Sequence, residues 1–390
     1  MIPAAGRRLA WWQHALAVGA IFVATLLRFY PAVTSVDPLG DELAQERAFL
    51  QQADGRSPYL DGGYVYPPSL MRLGAVLRQL PLASPFLPLR WASLAGLAVV
   101  LWCAAAWLAR GPWQRLGFAL LYAMLAPGVR QGIEFGNLSF AVGGLLVLAL
   151  LAWERTPVAS GLLLGASLLV KPLALGALPA LFFHRPQKGG HRHQLAVAVA
   201  VVAAALPLLA DPELGAFLRH GPHTWVLERT VSLHRFLALA DARGGASILT
   251  LLLLAGVAAV ARARVADREQ LLAVALAGCV MVTPVVWNHT LVLTLPLQAI
   301  AIHLALARWR AALETGRAPD RRWRRWEVTG IALAVAALTF AEGATGIDDR
   351  GVALQIFATL PPALAPAILA AYVLRFHAPQ ARPGTESGLR

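Results

Sequence analysis

The sequence is poor in charge and in cysteine for its 390 residues. Asp, Glu, Lys and Arg make up only 14% of it, against roughly 25% in soluble domains, while 58% of the residues are apolar. The apolar residues form long uninterrupted blocks, which excludes disorder and a soluble fold. Both cysteines, Cys103 and Cys279, lie inside such blocks, so we expect buried thiols and no disulfide framework. The sequence therefore predicts a polytopic membrane protein.

An excess of basic residues gives a formal net charge of +13, which by itself would suit a nucleic-acid partner. The basic residues are clustered between the apolar blocks, at 7–8, 184–193, 262–268 and 308–325. Lys and Arg collect on the cytoplasmic loops of membrane proteins. We therefore expect membrane lipids and no nucleic acid as partners, with both termini on the cytoplasmic side of the cytoplasmic membrane.

Twelve apolar segments are candidate spans, since about 20 apolar residues cross a bilayer as a helix and fewer suffice inside a protein. The run from Ala15 to Ala32 is too long for the core of a signal peptide, so we read it as the first span. The pattern predicts an all-α fold with about 12 transmembrane helices. The segments are 14–32, 90–109, 113–128, 137–153, 157–170, 172–183, 193–210, 245–262, 270–286, 290–306, 326–345 and 351–374.

The segment 157–183 contains a lysine and a proline at its centre, Lys171 and Pro172. Proline removes a helical hydrogen-bond donor and disfavours helix in the residue before it. A lysine at mid-membrane is costly unless it faces a polar cavity. We therefore expect two short helices that meet at Lys171 on the outer side of the membrane.

Two polar interruptions, 33–89 and 211–244, fall on the same outer side in this topology. Within the first, residues 67–88 contain Arg72 and Arg78 and are bracketed by prolines, which favours an amphipathic helix in the interface. An alternative topology, also with twelve spans, makes 67–88 a crossing and 157–183 a single helix. It exposes 110–115 on the outer side and moves 136–137 inside, so we prefer the first.

The unusual polar residues collect on the outer side, and their types suit one chemistry. A lone carboxylate can act as a general base on a hydroxyl, and fixed cations can stabilise a phosphate leaving group. Transfer of a sugar from a lipid phosphate to an alcohol needs both. The candidate residues are Asp41, Glu42, Tyr59, Tyr66, Arg130, Glu134, Asn137, Lys171, Ser232, His234, Arg235, Trp287 and His289.

Each candidate also has a structural interpretation. Asp41 could be an acid in the first turn of a helix that continues to Ala53, and Glu42 could lie on the solvated face of that helix. Arg130 and Glu134 are one turn apart and could simply pair. The sequence has no zinc-ligand spacing, P-loop, dinucleotide motif or nucleophile elbow, so we expect no cofactor and no metal ligands.

The segments assigned to the outer side contain several short motifs of distinctive composition. They are Gly40-Asp41, Gly55–Tyr59, Tyr64–Pro68, Gly136-Asn137, Ser160–Pro172, Val231–Leu233 and Trp287–His289. They are similar to the first outer loop of the GT-C glycosyltransferases that use polyprenyl-phosphate sugars, and within that class to glycosyltransferase family 87. Further elements match in the same order over roughly residues 10–310. Two departures are the missing Gln of a Gln-x-Asn element before Asn137 and Thr230-Val231 in place of Asn-Gln.

The resemblance implies an inverting transfer in which Asp41 is the base, Lys171 lies near the donor phosphate and His289 lies near the reacting centre. It implies a polyprenyl-phosphate donor, with mannose in the first place, and a hydroxyl of a glycolipid or glycan as acceptor on the extracytoplasmic face. We add Arg130 and Arg235 as further phosphate contacts. The expected substrate contacts are Glu42, Tyr59, Tyr66, Asn137, Ser232, His234 and Trp287.

On this interpretation residues 1–310 form a catalytic membrane module, 311–377 form scaffold helices and 378–390 form a loose tail. Three other functions stay open. The donor could carry a pentose such as arabinose. The chain could be a transporter or lipid flippase, since transporters also use helices broken as at Lys171. It could also be a non-catalytic partner in a glycan-assembly complex.

Overall fold

The computed structural model describes residues 10–60, 64, 66–109, 111–184, 190–220, 230, 232–239, 245–283, 286, 288–314, 321–339 and 352–377. All regular secondary structure within these ranges is helical. The α-helices are α1 (Trp11–Arg28), α2 (Tyr30–Thr34), α3 (Gly40–Ala53), α4 (Pro68–Leu77), α5 (Leu87–Leu108), α6 (Pro112–Leu125), α7 (Pro127–Glu134), α8 (Ser139–Ala152), α9 (Pro157–Val170), α10 (Leu178–Phe183), α11 (Gly190–Leu209), α12 (Leu214–His220), α13 (His234–Leu239), α14 (Ala246–Arg264), α15 (Arg268–Val282), α16 (Asn288–Leu291), α17 (Leu295–Glu314), α18 (Arg321–Thr339) and α19 (Val352–Phe376). Two short 3₁₀ turns, Pro172–Gly176 and Val292–Thr294, complete the set.

Prolines set where several helices begin. Pro68, Pro112, Pro127 and Pro157 are the first residues of α4, α6, α7 and α9. Proline is suited to this position because its fixed φ is already helical and its missing N–H would have no partner within the helix.

The long helices run between two ends of the molecule. One end, here called the Asp41 end, holds Asp41, Asn137 and Lys171: Asn137 donates to the Asp41 carboxylate, and Lys171 is near enough to act on it electrostatically. The other, here called the Arg268 end, holds the first turn of α15 and the last turn of α8, where the Arg268 guanidinium donates to the Leu151 carbonyl at 2.8 Å. Asn137 lies just before α8 and Leu151 lies in its last turn. The Asp41 end and the Arg268 end are therefore separated by about the length of this helix.

The predicted break at Lys171 is present. Helix α9 ends at Val170, and Lys171 is extended with φ −158° and ψ 136°. Trp153, just after α8, has its ring 5.4 Å from that of His184, so the chain that leaves the Arg268 end at Pro157 has returned there by His184. With 14 residues, α9 is about 21 Å long, shorter than the ~30 Å hydrocarbon core of a bilayer.

Among the residues that the structure describes, five helices are long and apolar enough to cross a membrane, as in an integral membrane protein. They cover 87–108, 192–209, 247–264, 289–311 and 359–376, and α6 with α7 would make a sixth if the pair, bent by 62°, is one span. Five further apolar segments are shorter, among them α8 and α9. The predicted all-helical membrane fold is therefore confirmed, whereas the count of about 12 transmembrane helices stays a prediction.

The first polar interruption and the described start of the second pack together at the Asp41 end. The amphipathic helix predicted over 67–88 extends only from Pro68 to Leu77. Arg72 on this helix pairs with Asp211 of the second interruption at 3.0 Å. Ser57 donates to Glu213 at 2.7 Å, and the rings of Tyr59 and Phe217 lie 5.6 Å apart. The start of the second interruption therefore packs directly on the first.

Candidate active site

The position of Asp41 is set by a tight contact at the start of α3. The Asp41 N–H donates to the Phe135 carbonyl at 2.8 Å, in the turn between α7 and α8. A side chain at Gly40 would have its Cβ only 2.4 Å from the Phe135 ring, so glycine is required for this approach. The Asp41 residue is only 7% exposed. Asp41 is thus both an acid in a first helical turn and a carboxylate buried against another element.

Two side chains hold one oxygen of the Asp41 carboxylate. The Tyr66 hydroxyl donates to Oδ2 at 2.7 Å, and the Asn137 amide nitrogen donates to the same oxygen. Tyr59 supports Tyr66, because its hydroxyl donates to the Tyr66 carbonyl at 2.9 Å. The Asn137 amide oxygen accepts from the Ser139 N–H at 2.8 Å. Within the described residues no hydrogen bond uses the second oxygen of Asp41, Oδ1.

Lys171 brings a cation beside this carboxylate. It is buried at the break after α9, and its Nζ donates to Ser139 Oγ at 2.9 Å and lies 5.5 Å from the centre of the Tyr66 ring. Ser139 Oγ lies 3.3 Å from Thr290 Oγ1, and the neighbouring His289 is buried against Gly132 of α7. Lys171, Ser139 and Thr290 therefore form a polar line that leads from Asp41 to His289.

Burial and charge act on Asp41 in opposite directions. Burial raises the pKa of the Asp41 carboxyl, while the Lys171 charge and the hydrogen bonds from Tyr66 and Asn137 lower it, and the net direction is upward. Burial also raises the pKa of Tyr66 well above its ordinary value, helped by the negative charge of Asp41. Tyr66 therefore remains a hydrogen-bond donor at any pH at which the protein would work.

Glu42 is buried in an ion pair with Arg90. Arg90 Nε lies 2.8 Å from Oε1 of Glu42 and Nη2 lies 2.6 Å from Oε2, while Oε2 also accepts from the Leu39 N–H. The side chains are only 3% and 2% exposed. Arg90 further donates to the carbonyls of Ser35 and Asp37. Both oxygens of Glu42 are thus occupied, so we assign it to holding the loop before α3 and α3 itself in place beside α5, rather than to contacting substrate.

Replacing Arg90 by Met is expected to lower the stability of the folded protein by about 3–5 kcal/mol, because it leaves a buried carboxylate without its partner. The measurement is the midpoint of thermal unfolding in detergent. Arg130→Gln is the matched control, since Arg130 pairs with Glu134 at 2.8 Å but its side chain is 70% exposed. Loss of that exposed pair should cost less than about 1 kcal/mol. Equal losses in the two variants would contradict the positioning role of Arg90.

Gly136 has a backbone conformation and a close neighbour that only glycine accommodates without strain. Its φ is +65°, and a Cβ there would lie 2.6 Å from Oε1 of Glu42. We expect Gly136→Ala to cost roughly 1–3 kcal/mol in strain and to lower activity, since it moves the adjacent Asn137 away from Asp41. Gly55→Ala is the control, because Gly55 has a similar φ of +73° but open space around it. That variant should cost about 1 kcal/mol and keep full activity. Unimpaired activity in Gly136→Ala would contradict the close packing described here.

The remaining predicted residues have contacts elsewhere. Arg130 is engaged by Glu134. Ser232 and Arg235 are buried next to Thr230, with Ser232 Oγ 2.9 Å from Thr230 Oγ1 and Arg235 donating to the Thr230 carbonyl at 3.2 Å. His234 Nε2 lies 2.9 Å from Thr250 Oγ1 on α14. Trp287 lies outside the described residues. A role for these residues toward a substrate stays a prediction.

Three residues near the carboxylate escaped the sequence interpretation. Arg90 was counted as part of an apolar span, although a charged residue near the start of such a span is a signal in itself. Ser139 and Thr290 follow Asn137 and His289 closely in sequence, but single hydroxyls in apolar helices are common and carry no signal of their own.

One group of His and carboxylate side chains in the described part of the chain could share an ion, and it lies at the other end. Asp267, Glu269 and His377 have their ligand atoms within 4.8 Å of one another. Asp267 also caps α15 by accepting from the Gln270 N–H at 2.9 Å. The group joins the start of α15 to the end of α19 and has no part in the Asp41 site.

The fold and the site define an integral membrane protein with a buried carboxylate beside a buried ammonium group, beneath a layer of connecting segments. The model of glycosyltransferase family 87 matches residues 64–287, which is more than half of the chain. The chain therefore belongs to glycosyltransferase family 87, and it is a glycosyltransferase. Tyr66, Asn137 and Lys171 lie inside the matched range, whereas Asp41 precedes it and His289 follows it. Comparisons with curated proteins and with solved structures gave no significant match.

Proposed function

We propose that the chain transfers a sugar, in the first place mannose, from polyprenyl phosphate to a hydroxyl of a glycolipid or glycan, with inversion at the anomeric carbon. One observation carries this proposal. The Asp41 carboxylate is buried, fixed through Oδ2 by Tyr66 and Asn137, and faced by the Lys171 ammonium. A fixed base and a fixed cation are what an in-line displacement of a phosphate needs.

In the proposed reaction Oδ1 of Asp41 accepts the proton of the acceptor hydroxyl. The hydroxyl oxygen attacks the anomeric carbon from the face opposite the phosphate and forms the new glycosidic bond. The bond from that carbon to the phosphate oxygen breaks, and the phosphate leaves with the bonding electron pair. Lys171 stabilises the charge that grows on the leaving oxygen, and Asp41 then releases its proton to solvent.

His289 and the hydroxyl groups between it and Lys171 fit the donor side of this reaction. His289 is buried next to Thr290, which reaches Ser139 and through it Lys171. We assign His289 to the donor phosphate or to the sugar at the reacting centre. Tyr66 and Asn137 are assigned to orienting Asp41, because their donors are already used on its Oδ2.

The Asp41 end is proposed to face the extracytoplasmic side. The positive-inside rule supports this, since more of the described arginines lie at the opposite end than at the Asp41 end, where Arg72, Arg78 and Arg90 pair with carboxylates. At such a surface the prenyl tail of the donor can stay in the bilayer while its phosphate reaches Lys171. The described arginines at the Arg268 end include Arg115, Arg155, Arg268, Arg308 and Arg375.

The test is a panel of donors offered to the purified protein in liposomes with a membrane glycolipid extract. Labelled polyprenyl-phosphate mannose should give a labelled product, and nucleotide mannose should give none. Polyprenyl-phosphate arabinose is included because discrimination between sugars depends on a few hydrogen bonds that sequence motifs do not define. Product from the nucleotide sugar alone would contradict the proposed donor class.

A transporter function is the second candidate, favoured by the helix broken at Lys171. Counterflow in the same liposomes separates the two activities. A transporter would exchange labelled and unlabelled substrate without altering either, whereas we expect no counterflow and a new glycosidic bond.

A further inference from the structure

A cavity lies in the half of the molecule away from Asp41. It has a volume of ≈ 400 Å³ and lies between α1, α5, α8 and α15. Its lining residues come from the parts of these helices nearest the Arg268 end, and the proposed transfer reaction uses none of them. Most are apolar, for example Val18, Val99, Leu148 and Leu272. Cavities of a few hundred Å³ with apolar walls and a few polar groups are typical ligand sites.

Two polar side chains of this cavity offer hydrogen-bond donors. Arg268 gives Nη2 to the Leu151 carbonyl at 2.8 Å, and a guanidinium has further N–H groups to donate. His14 accepts from the Trp102 indole N–H through Nδ1 at 2.9 Å, so a neutral ring carries its proton on Nε2. The two donors stand on α15 and α1, on different walls of one cavity.

The charge around these donors favours an anion. Arg115 does not line the cavity, but it is near enough to act electrostatically on His14. The carboxylate in the lining, Glu269, has its Oε2 directed at His377 at 3.8 Å. A neutral apolar ligand would fill the cavity but would offer no acceptor to the further N–H groups of Arg268.

We propose that this cavity binds an anionic phospholipid of the membrane leaflet at the Arg268 end. One acyl chain would occupy the apolar part, and the lipid phosphate would accept hydrogen bonds from Arg268 and from Nε2 of His14. The site lies among helices of a membrane protein, at the end where basic residues collect, and basic pockets between such helices bind anionic headgroups. It is independent of the transfer reaction and needs no substrate of that reaction.

The experiment uses the full chain and native mass spectrometry. The protein is purified in detergent, stripped of lipid, and titrated with phosphatidylglycerol or with phosphatidylcholine. We expect one phosphatidylglycerol to remain bound. Phosphatidylcholine also has a phosphate, but the trimethylammonium group beside that phosphate is repelled by the Arg268 guanidinium, so we expect it to bind about tenfold more weakly. Arg268→Gln should weaken phosphatidylglycerol binding by about the same factor. Leu148→Trp, which places bulk in the partly exposed wall, should abolish retention of either lipid.

The matched control is Arg262→Gln, since Arg262 is an exposed arginine in the last turn of α14 at the same end and does not line the cavity. This variant should bind lipid as the wild type does. Equal binding of the two lipids to the wild type, no retained lipid, or equal losses in Arg262→Gln and Arg268→Gln would each overturn the proposal. If Arg268→Gln does not give a monodisperse protein, two measurements still test the proposal. They are the comparison of the two lipids on the wild type and the retention of lipid by Leu148→Trp.

Discussion

Replacing Asp41 by Asn is expected to lower the rate constant of sugar transfer by about 10²–10⁴-fold, the range typical of a general base. The amide cannot take the proton of the acceptor hydroxyl. Its oxygen can still accept from Tyr66 and Asn137, which hold Oδ2 of the native carboxylate. The fold should therefore survive, and the loss should appear in kcat more than in KM. Single-turnover transfer from a prebound donor measures it directly.

Asp37→Asn is the matched control for this prediction. Asp37 lies four residues earlier in the same outer segment, and its residue is exposed where Asp41 is buried. The control should transfer sugar as the wild type does. Near-normal transfer by Asp41→Asn in a folded preparation, or an equal loss in both variants, would show that Asp41 is not the base.

Replacing Lys171 by Met is expected to have the second largest effect, a loss of about 10²–10³-fold in kcat, as when one group that stabilises transition-state charge is removed. The ammonium is held by Ser139 and lies beside Asp41, so its loss removes the cation nearest the base. Lys188→Met is the control, because Lys188 is the other lysine of the chain and lies in the basic stretch 184–193. It should leave transfer unchanged. A smaller loss in Lys171→Met than in the control would contradict the assignment.

The same variant should change the pH dependence of transfer. Asp41 must be ionised to accept a proton, so kcat/KM falls as pH is lowered through its pKa. Burial raises this pKa and the Lys171 charge lowers it, so removal of that charge raises the pKa further. The acid-side fall of kcat/KM should therefore move to higher pH in Lys171→Met and stay near the wild-type position in Lys171→Arg. A shift to lower pH would contradict the electrostatic link between the two residues.

The break at Lys171 shows how far simple chemistry can lead from a sequence. A proline and a lysine in the middle of an apolar segment each argue against a straight crossing. Together they predicted two short helices, and the helix does end at Val170 and return by His184. The prediction succeeded because both penalties are local and large.

The region around Pro127 shows a structural feature that the hydrophobicity pattern could not predict. The sequence predicted one span over 113–128, which α6 largely covers, but it did not predict that a separate helix, α7, begins at Pro127 at an angle of 62° to α6. Pro127 begins a separate helix that carries Arg130 and Glu134 and leads into the turn at Gly136. Apolarity alone cannot separate a helix that continues from one that turns along the surface. This turn is fixed by the hydrogen bond from the Asp41 N–H to the Phe135 carbonyl, and a contact between residues so far apart in the chain cannot be predicted from the sequence.

The candidate site was predicted as a set of residue types and not as an arrangement. Asp41, Tyr66, Asn137 and Lys171 were each selected for their own chemistry or motif. That Tyr66 and Asn137 share one oxygen of Asp41 depends on tertiary contacts between segments up to 96 residues apart. Glu42 was expected to touch substrate, yet its partner Arg90 comes from a helix that was read as purely apolar.

The anomeric configuration of the product tests the central claim most directly. A single base that activates the acceptor gives one displacement and therefore inversion, whereas a carboxylate nucleophile would give two displacements and retention. Product made by the wild-type protein from polyprenyl-phosphate mannose of known configuration can be analysed by NMR of the anomeric proton and carbon. We predict the configuration opposite to that of the donor. Retention of the donor configuration would contradict the role of Asp41 as the base.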